Sequence, residues 1–123
     1  LLRQRVVLSV GETEVLNSLV PLYYMAGAGL EVVERLATTR RETLDIPEGS
    51  LSLGFLYNDD ENVIISEREW KRQGLTRFEQ IRDAWRRFAE DVRHYLLEQF
   101  PGLANHPQLG EWFREGRIPP AIR

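Results

Sequence analysis

The chain of 123 residues contains no cysteine. That absence removes disulfides, thiolate zinc sites and cysteine nucleophiles together, and leaves the redox compartment open. Histidine occurs only at His94 and His106, too sparsely for an imidazole-built metal centre. Lysine is almost missing too: Lys71 stands alone and the other 15 of the 16 basic side chains are arginine, a bias that fits a GC-rich genome. No run approaches the roughly 18 consecutive apolar residues of a membrane span, and no basic-then-apolar leader is present. These absences lead to the expectation of a soluble, cytoplasmic protein of bacterial type.

What is present suffices for a core. Hydrophobic residues make up 42% of the chain and charged residues 28%, the balance of an ordered globular protein rather than a disordered one. One domain over residues 1–123 is expected, and a first residue that is Leu1 rather than Met fits excision from a longer protein. Net charge is −3, which argues against nonspecific attraction to phosphate backbones. The sign is uneven: residues 1–61 carry 5 basic and 10 acidic groups, residues 62–123 carry 11 and 9.

The strongest pattern lies in residues 76–100. Phe78, Ile81, Trp85, Phe88, Val92, Tyr95 and Leu96 follow one another at three- and four-residue steps, which predicts an amphipathic helix about 36 Å long. Fewer than four heptads would leave those rings in water if the seam faced outward, so the helix is expected to be the spine of the core. Leu51, Leu53, Phe55 and Tyr57 alternate with smaller or polar residues, Asn58 to Asn62 form a polar turn, and Val63 to Ile65 return. This is the clearest hairpin, over 51–65.

Elsewhere the signals are local. Val6 to Val10 is β-branched and short, as a strand would be. Val15, Leu16, Leu19 and Val20 have helical spacing, which Pro21 should end or kink. Ala26-Gly27-Ala28-Gly29 marks a break or a close packing point, and a helix from Leu30 should fade near Arg41. Leu44 to Gly49, with Pro47, reads as a turn. Ser66-Glu67-Arg68-Glu69 has the form of a capping box with Ile65 and Trp70 as its staple, predicting a short helix that stops at Gly74. Thr76 to Glu79 repeats the box. A last short helix follows Pro107, with His106 as its cap and Leu109, Trp112 and Phe113 on its apolar face. The fold class is therefore α+β: a small antiparallel sheet packed with helices around a long central one.

No residue set announces catalysis. Glu90, His94 and Glu98 lie at i, i+4 steps on the long helix, but a zinc or di-iron site needs ligands from other elements as well. Asp59-Asp60-Glu61-Asn62 lacks the spacing and glycine of a calcium loop. Gly27-Ala28-Gly29 completes neither the dinucleotide nor the Walker pattern, and no serine sits in a nucleophile elbow. The expectation is no enzyme, no cofactor and no metal.

The nine residues Trp112-Phe113-Arg114-Glu115-Gly116-Arg117-Ile118-Pro119-Pro120 resemble the end of a recognition helix and its following turn in small phage-type helix-turn-helix repressors. That resemblance implies DNA contact through Arg114 and Arg117, although Pro101, Gly102 and Pro107 interrupt the region where the scaffold helix should run. The long helix alternates in sign on its polar side, with Asp83-Arg87, Arg86-Glu90 and Arg87-Asp91 as opposite i, i+4 pairs, which suits a water-facing surface better than a nucleic-acid stripe. The 12 aromatics and the acidic N-terminal half suit an interface. The expected function is a noncatalytic protein-protein interaction module, such as an adaptor, an immunity or inhibitor protein, or a docking domain. Its interface candidates are Trp112, Phe113, Arg114, Arg117, Asp59 and Asp60, and its partner another protein or another domain of the same chain. The alternative is a nucleic-acid-binding regulator that uses the basic C-terminal half.

Overall fold

The computed structural model describes residues 3–46, 51–68, 71–107 and 109–115. The element order is β1 (Arg3–Val10), β2 (Thr13–Pro21), α1 (Leu22–Thr39), β3 (Arg41–Asp45), β4 (Ser52–Tyr57), β5 (Asn62–Glu67), β6 (Arg72–Arg77), α2 (Phe78–Gln99), a 3-10 turn (Pro101–Asn105) and α3 (Gly110–Glu115). Strands β3, β4, β5 and β6 form an antiparallel meander in that order, and β1 and β2 form a separate hairpin. The class is α+β, with the long helix α2 buried along Ile81, Trp85, Ala89, Val92 and Leu96. Among the described residues no helix is long and apolar enough to cross a membrane.

The 51–65 hairpin forms where alternation placed it, with Phe55 opposite Ile65 and Tyr57 opposite Val63. Leu53, Phe55, Val63 and Ile65 point inward and are at most 1% exposed. Two helical expectations fail, for identifiable reasons. Residues 13–21 are a strand: Leu8 pairs with Leu16 but Ser9 with Glu14, so Val15 is the extra residue of a β-bulge. The bulge turns both Val15 and Leu16 into the core, and adjacent buried residues imitate a helical stripe. Gly11, at φ 63°, supplies the tight turn between the strands.

The second failure is the capping box at Ser66. Strand β5 continues through Ser66 and Glu67, and the chain returns as β6 with Glu67 opposite Arg72 and Ile65 opposite Gly74. Lys71 turns the corner at φ 54°, and Glu69 and Trp70 lie outside the described residues. Ladder pairing satisfies the backbone that the box would have capped, a case of tertiary context overriding local preference. The C-terminal half is consequently a strand, the long helix, a 3-10 turn and a short helix, rather than three helices in series. At Thr76 the box is not used either: α2 begins at Phe78 without a side-chain cap, its first amide donating to the Glu61 carbonyl at 2.9 Å.

Pro21 is the joint between β2 and α1 rather than a kink. The Ala26–Gly29 run lies inside α1 and is a packing point. A Cβ on Gly29 would run into the Trp85 indole, and Trp85 Nε1 donates to the Met25 carbonyl at 3.1 Å. Helix α1 ends at Arg40, whose left-handed φ of 65° feeds β3. Residues 47–50, including Pro47 of the expected turn, lie outside the described residues. Gly74 is the other close approach: a Cβ there would stand 2.6 Å from Val10 Cβ, so its absence lets the β1–β2 hairpin cross β6 on the inner face.

Trp85→Ala is expected to destabilise the protein by about 3–5 kcal/mol, a large share of a total near 5–15 kcal/mol. Gly29→Ala should cost about 1–3 kcal/mol by overpacking. Because Trp85→Phe vacates the space that the new methyl enters, the double variant Gly29→Ala/Trp85→Phe should lose less than the two single losses added. Urea denaturation followed by far-UV circular dichroism checks all three.

Candidate functional site: a groove along an open strand edge

Among the described residues strand β1 pairs with β2 on one side only. Along an antiparallel strand alternate residues direct their N–H and C=O groups to opposite edges, so half the polar groups of β1 face away from β2. They face α2. Ser9, Val10 and Gly11 at one end of β1 lie across from Thr76, Gln80, Ile81, Asp83 and Arg87, around a cavity of about 380 Å³. At the other end Gln4, Arg5 and Val6 lie across from Phe88, Asp91, Val92 and Tyr95, around a second cavity of about 380 Å³. Between them Val6, Val7, Met25, Ala84, Trp85 and Phe88 line an apolar dimple of about 110 Å³.

The three hollows form one groove, with β1 as one wall and four turns of α2 as the other. Eight strand residues span about 26 Å, and Gln80 to Tyr95 span about 23 Å of helix. Its middle is apolar and partly open, Val7 being 50% exposed. At the Gln4 end the walls touch, Gln4 Nε2 donating to the Tyr95 hydroxyl at 3.2 Å. The N-terminal third of β1 carries Arg3 and Arg5, charges of the kind that discourage edge-to-edge aggregation. From Val6 to Val10 the strand has none.

The polar face of α2 does not pair as expected. Arg86 leaves Glu90 and reaches Glu34 on α1 through Nε and Nη2, at 2.6 and 2.9 Å. Glu90 instead accepts from Arg93 and His94, and those bonds hold its carboxyl below the usual range, Arg93 contributing most. Asp83 is held by Arg82 at 3.4 Å. Arg87 and Asp91, expected to bridge one another, form no ion pair or hydrogen bond among the described residues. Both line the groove.

The residues singled out from the sequence occupy other places. Trp112 and Phe113, each 2% exposed, belong to a second core cluster with Leu22, Ala26, Ala89, Val92 and Leu96. They dock α3 instead of offering a surface. Tyr23 packs edge-on against Trp112 with ring centroids 4.7 Å apart. Arg114 is turned back to the Ala104 carbonyl, and Arg93 Nη1 ties α2 to the Phe113 carbonyl at 3.0 Å. His106 Nδ1 accepts from the Leu109 amide at 3.0 Å, the capping role expected of it. Arg117 lies outside the described residues, as does the turn of the helix-turn-helix resemblance.

Asp59 shapes the hairpin tip. Its carboxylate accepts from the Asn62 side chain and from the amides of Glu61 and Asn62, bonds that lower its pKa, the Asn62 side chain most. Asp60 stands fully in solvent, with Arg40 at 3.8 Å. The structure therefore brings Trp112, Phe113 and Arg114 together on one side of α2 and leaves Asp59 and Asp60 at the hairpin tip. The groove was missed because its walls are far apart in sequence. The available signal was the uncharged β-branched run of β1, read there only as a strand.

Among the described residues no three of His, Asp and Glu stand close enough to share a metal ion. No protein-family model matches the chain, and no curated protein or solved structure matches it.

Burial pushes the Tyr23 phenol up to about 12, while an unfolded tyrosine ionises at about 10. The folded state thus keeps a proton that the unfolded state gives up, and the contribution present below pH 10 is lost as pH rises toward 12. The Tyr23 hydroxyl is buried without a hydrogen-bond partner among the described residues, so Tyr23→Phe should cost little at pH 8. At pH 11 the variant should be the more stable of the two. Urea midpoints at the two pH values check the crossover.

Proposed function

We propose that this protein is a noncatalytic protein-protein interaction module whose working surface is the groove between β1 and α2. The observation that supports it is the open edge of β1 beside a helix, along an apolar floor. Unpaired strand groups keep their hydrogen-bonding capacity for an incoming backbone, and side-chain hollows beside them give selectivity, the arrangement by which strand addition recognises peptides. The floor is lined by Val6, Val7 and Phe88 over the buried Trp85 ring. The nucleic-acid alternative has less to recommend it. Arg82, Arg86 and Arg93 on α2 are each committed to an acidic partner, which leaves Arg87 as the unengaged arginine of that helix for a phosphate.

The test is selection of twelve-residue peptides from a random display library, followed by amide chemical-shift mapping of the selected peptides on isotope-labelled protein. Shifts should concentrate on Gln4–Val10 and Ala84–Tyr95. Val7→Lys, a charge placed on the open edge, should weaken binding at least tenfold and change the urea midpoint little. The outer face of the meander offers a rival surface, because Leu56, Ile64 and Leu75 lie in one cross-strand row and Leu75 is 54% exposed. Shifts centred on that row, or no enrichment of peptides at all, would overturn the groove.

A further inference from the structure

We infer that two copies of this protein join through their β3 edges, antiparallel about a two-fold axis at Thr43, so that two four-stranded meanders run into one sheet. The inference does not depend on the groove. Strand β6, which the β1–β2 hairpin crosses, lies at the opposite edge of the meander.

The free backbone groups follow from the bonds that β3 already makes. It pairs with β4 on one side, and among the described residues no strand pairs with the other. The Tyr57 amide donates to the Arg40 carbonyl and the Ile46 amide to the Leu51 carbonyl, both at 3.0 Å. In an antiparallel ladder residues that exchange such bonds alternate with residues that do not. Arg40, Glu42, Leu44 and Ile46 therefore turn their backbone groups toward β4, while Arg41, Thr43 and Asp45 turn theirs to the open edge.

That alternation sets the register. With Thr43 of one copy opposite Thr43 of the other, Arg41 of each stands opposite Asp45 of its partner, and every outward amide faces an outward carbonyl. A slip by one residue would set outward groups against groups already bonded to β4. A slip by two would part Arg41 from Asp45. The Asp45 carbonyl accepts from the Tyr24 hydroxyl at 2.8 Å, and its second lone pair stays open to an amide.

The side chains select the same register. Leu44 and Ile46 are buried at 2% and 3% exposure, so Arg41, Thr43 and Asp45 lie on the outer face. Arg41 is exposed and forms no ion pair or hydrogen bond among the described residues. Asp45 is exposed as well, its carboxylate accepting from the Ser52 hydroxyl at 2.9 Å. Opposite charges directly across a ladder attract, and each copy supplies one of each. Charge on an edge strand commonly keeps copies apart, but this pair is complementary to itself. On the inner face Glu42 is held by Arg35 of α1 at 2.8 Å and brings no free charge to the junction. An edge of five residues is short, below the size of a standard interface, so the dimer is weak and concentration-dependent.

Sedimentation equilibrium of the protein from about 10 µM to about 1 mM, at low salt, measures it. The mean mass should climb from one chain toward two. Hydrogen exchange at the highest concentration should slow at the amides of Arg41, Thr43 and Asp45 and stay unchanged at Glu42 and Leu44. Arg41→Asp and Asp45→Arg each set like charges across the two-fold, and each should weaken association at least tenfold. An equimolar mixture of the two variants restores opposite charges at both positions and should associate about as tightly as the unsubstituted protein. Arg41 has no bond to lose, so Arg41→Asp and the exchange pattern decide the matter even where Asp45→Arg folds poorly. A one-chain mass at about 1 mM, exchange slowed elsewhere, association that Arg41→Asp leaves unchanged, or a mixture of folded variants no tighter than its components would overturn the inference. None of these outcomes bears on peptide selection at the groove.

Discussion

The indole of Trp85 is the contact on which the rest of this structure depends. Its ring occupies the volume that a side chain at Gly29 would have filled, and its nitrogen donates to the Met25 carbonyl on the same helix. Together these fix how closely α1 and α2 approach. The ring also meets Phe55 of the meander edge-to-face at 6.0 Å and Phe88 at 6.2 Å, so one side chain sets the helix pair against the sheet. A buried indole N–H without an acceptor would be costly. Met25 supplies that acceptor without giving up its own place in the core, where it is 1% exposed.

How far the fold could be read depended on whether each element's pattern was local. Helix α2 and the β4–β5 hairpin carry unbroken periods of 3.6 and 2, and both stand where those periods put them. Strand β2 carried a period broken by one bulged residue, and the break was enough to exchange one class of structure for another. Strand β6 was hidden for the opposite reason. Ser66 to Glu69 is a well-formed local signal, but Ile64 has Leu75 beside it and Ile65 has Gly74, partners that lie outside the four residues of the box. Gly74 looked like a helix stop, while its actual use is to make room for Val10, 64 residues earlier in the chain.

The candidate site was harder to read than the fold. Trp112 and Phe113 stood out because aromatics near arginine resemble an exposed anchor, yet Tyr23, Ala89 and Val92 enclose them, and only the folded chain brings those residues to α3. The groove, by contrast, is made of residues that look ordinary singly. A valine pair on a short strand, an alanine and an aspartate on a helix become a surface because β1 is paired on one side and α2 stands off the other. Its two unengaged charges came to light the same way: Glu34 draws Arg86 away, Arg93 and His94 occupy Glu90, and the simple i, i+4 ladder of α2 is dismantled from outside the helix.

The buried residues form two clusters, one around Trp85 and the sheet, the other around Trp112 and the start of α1. Val6, Leu30 and Phe88 pack against both. Two of those three also line the groove, whose floor is therefore the seam between the clusters. A wedge lodged there would press on both halves at once, and the pressure would travel along α2, the element they share. The short helix at the far end, tied to α2 through Arg93, lies on that path.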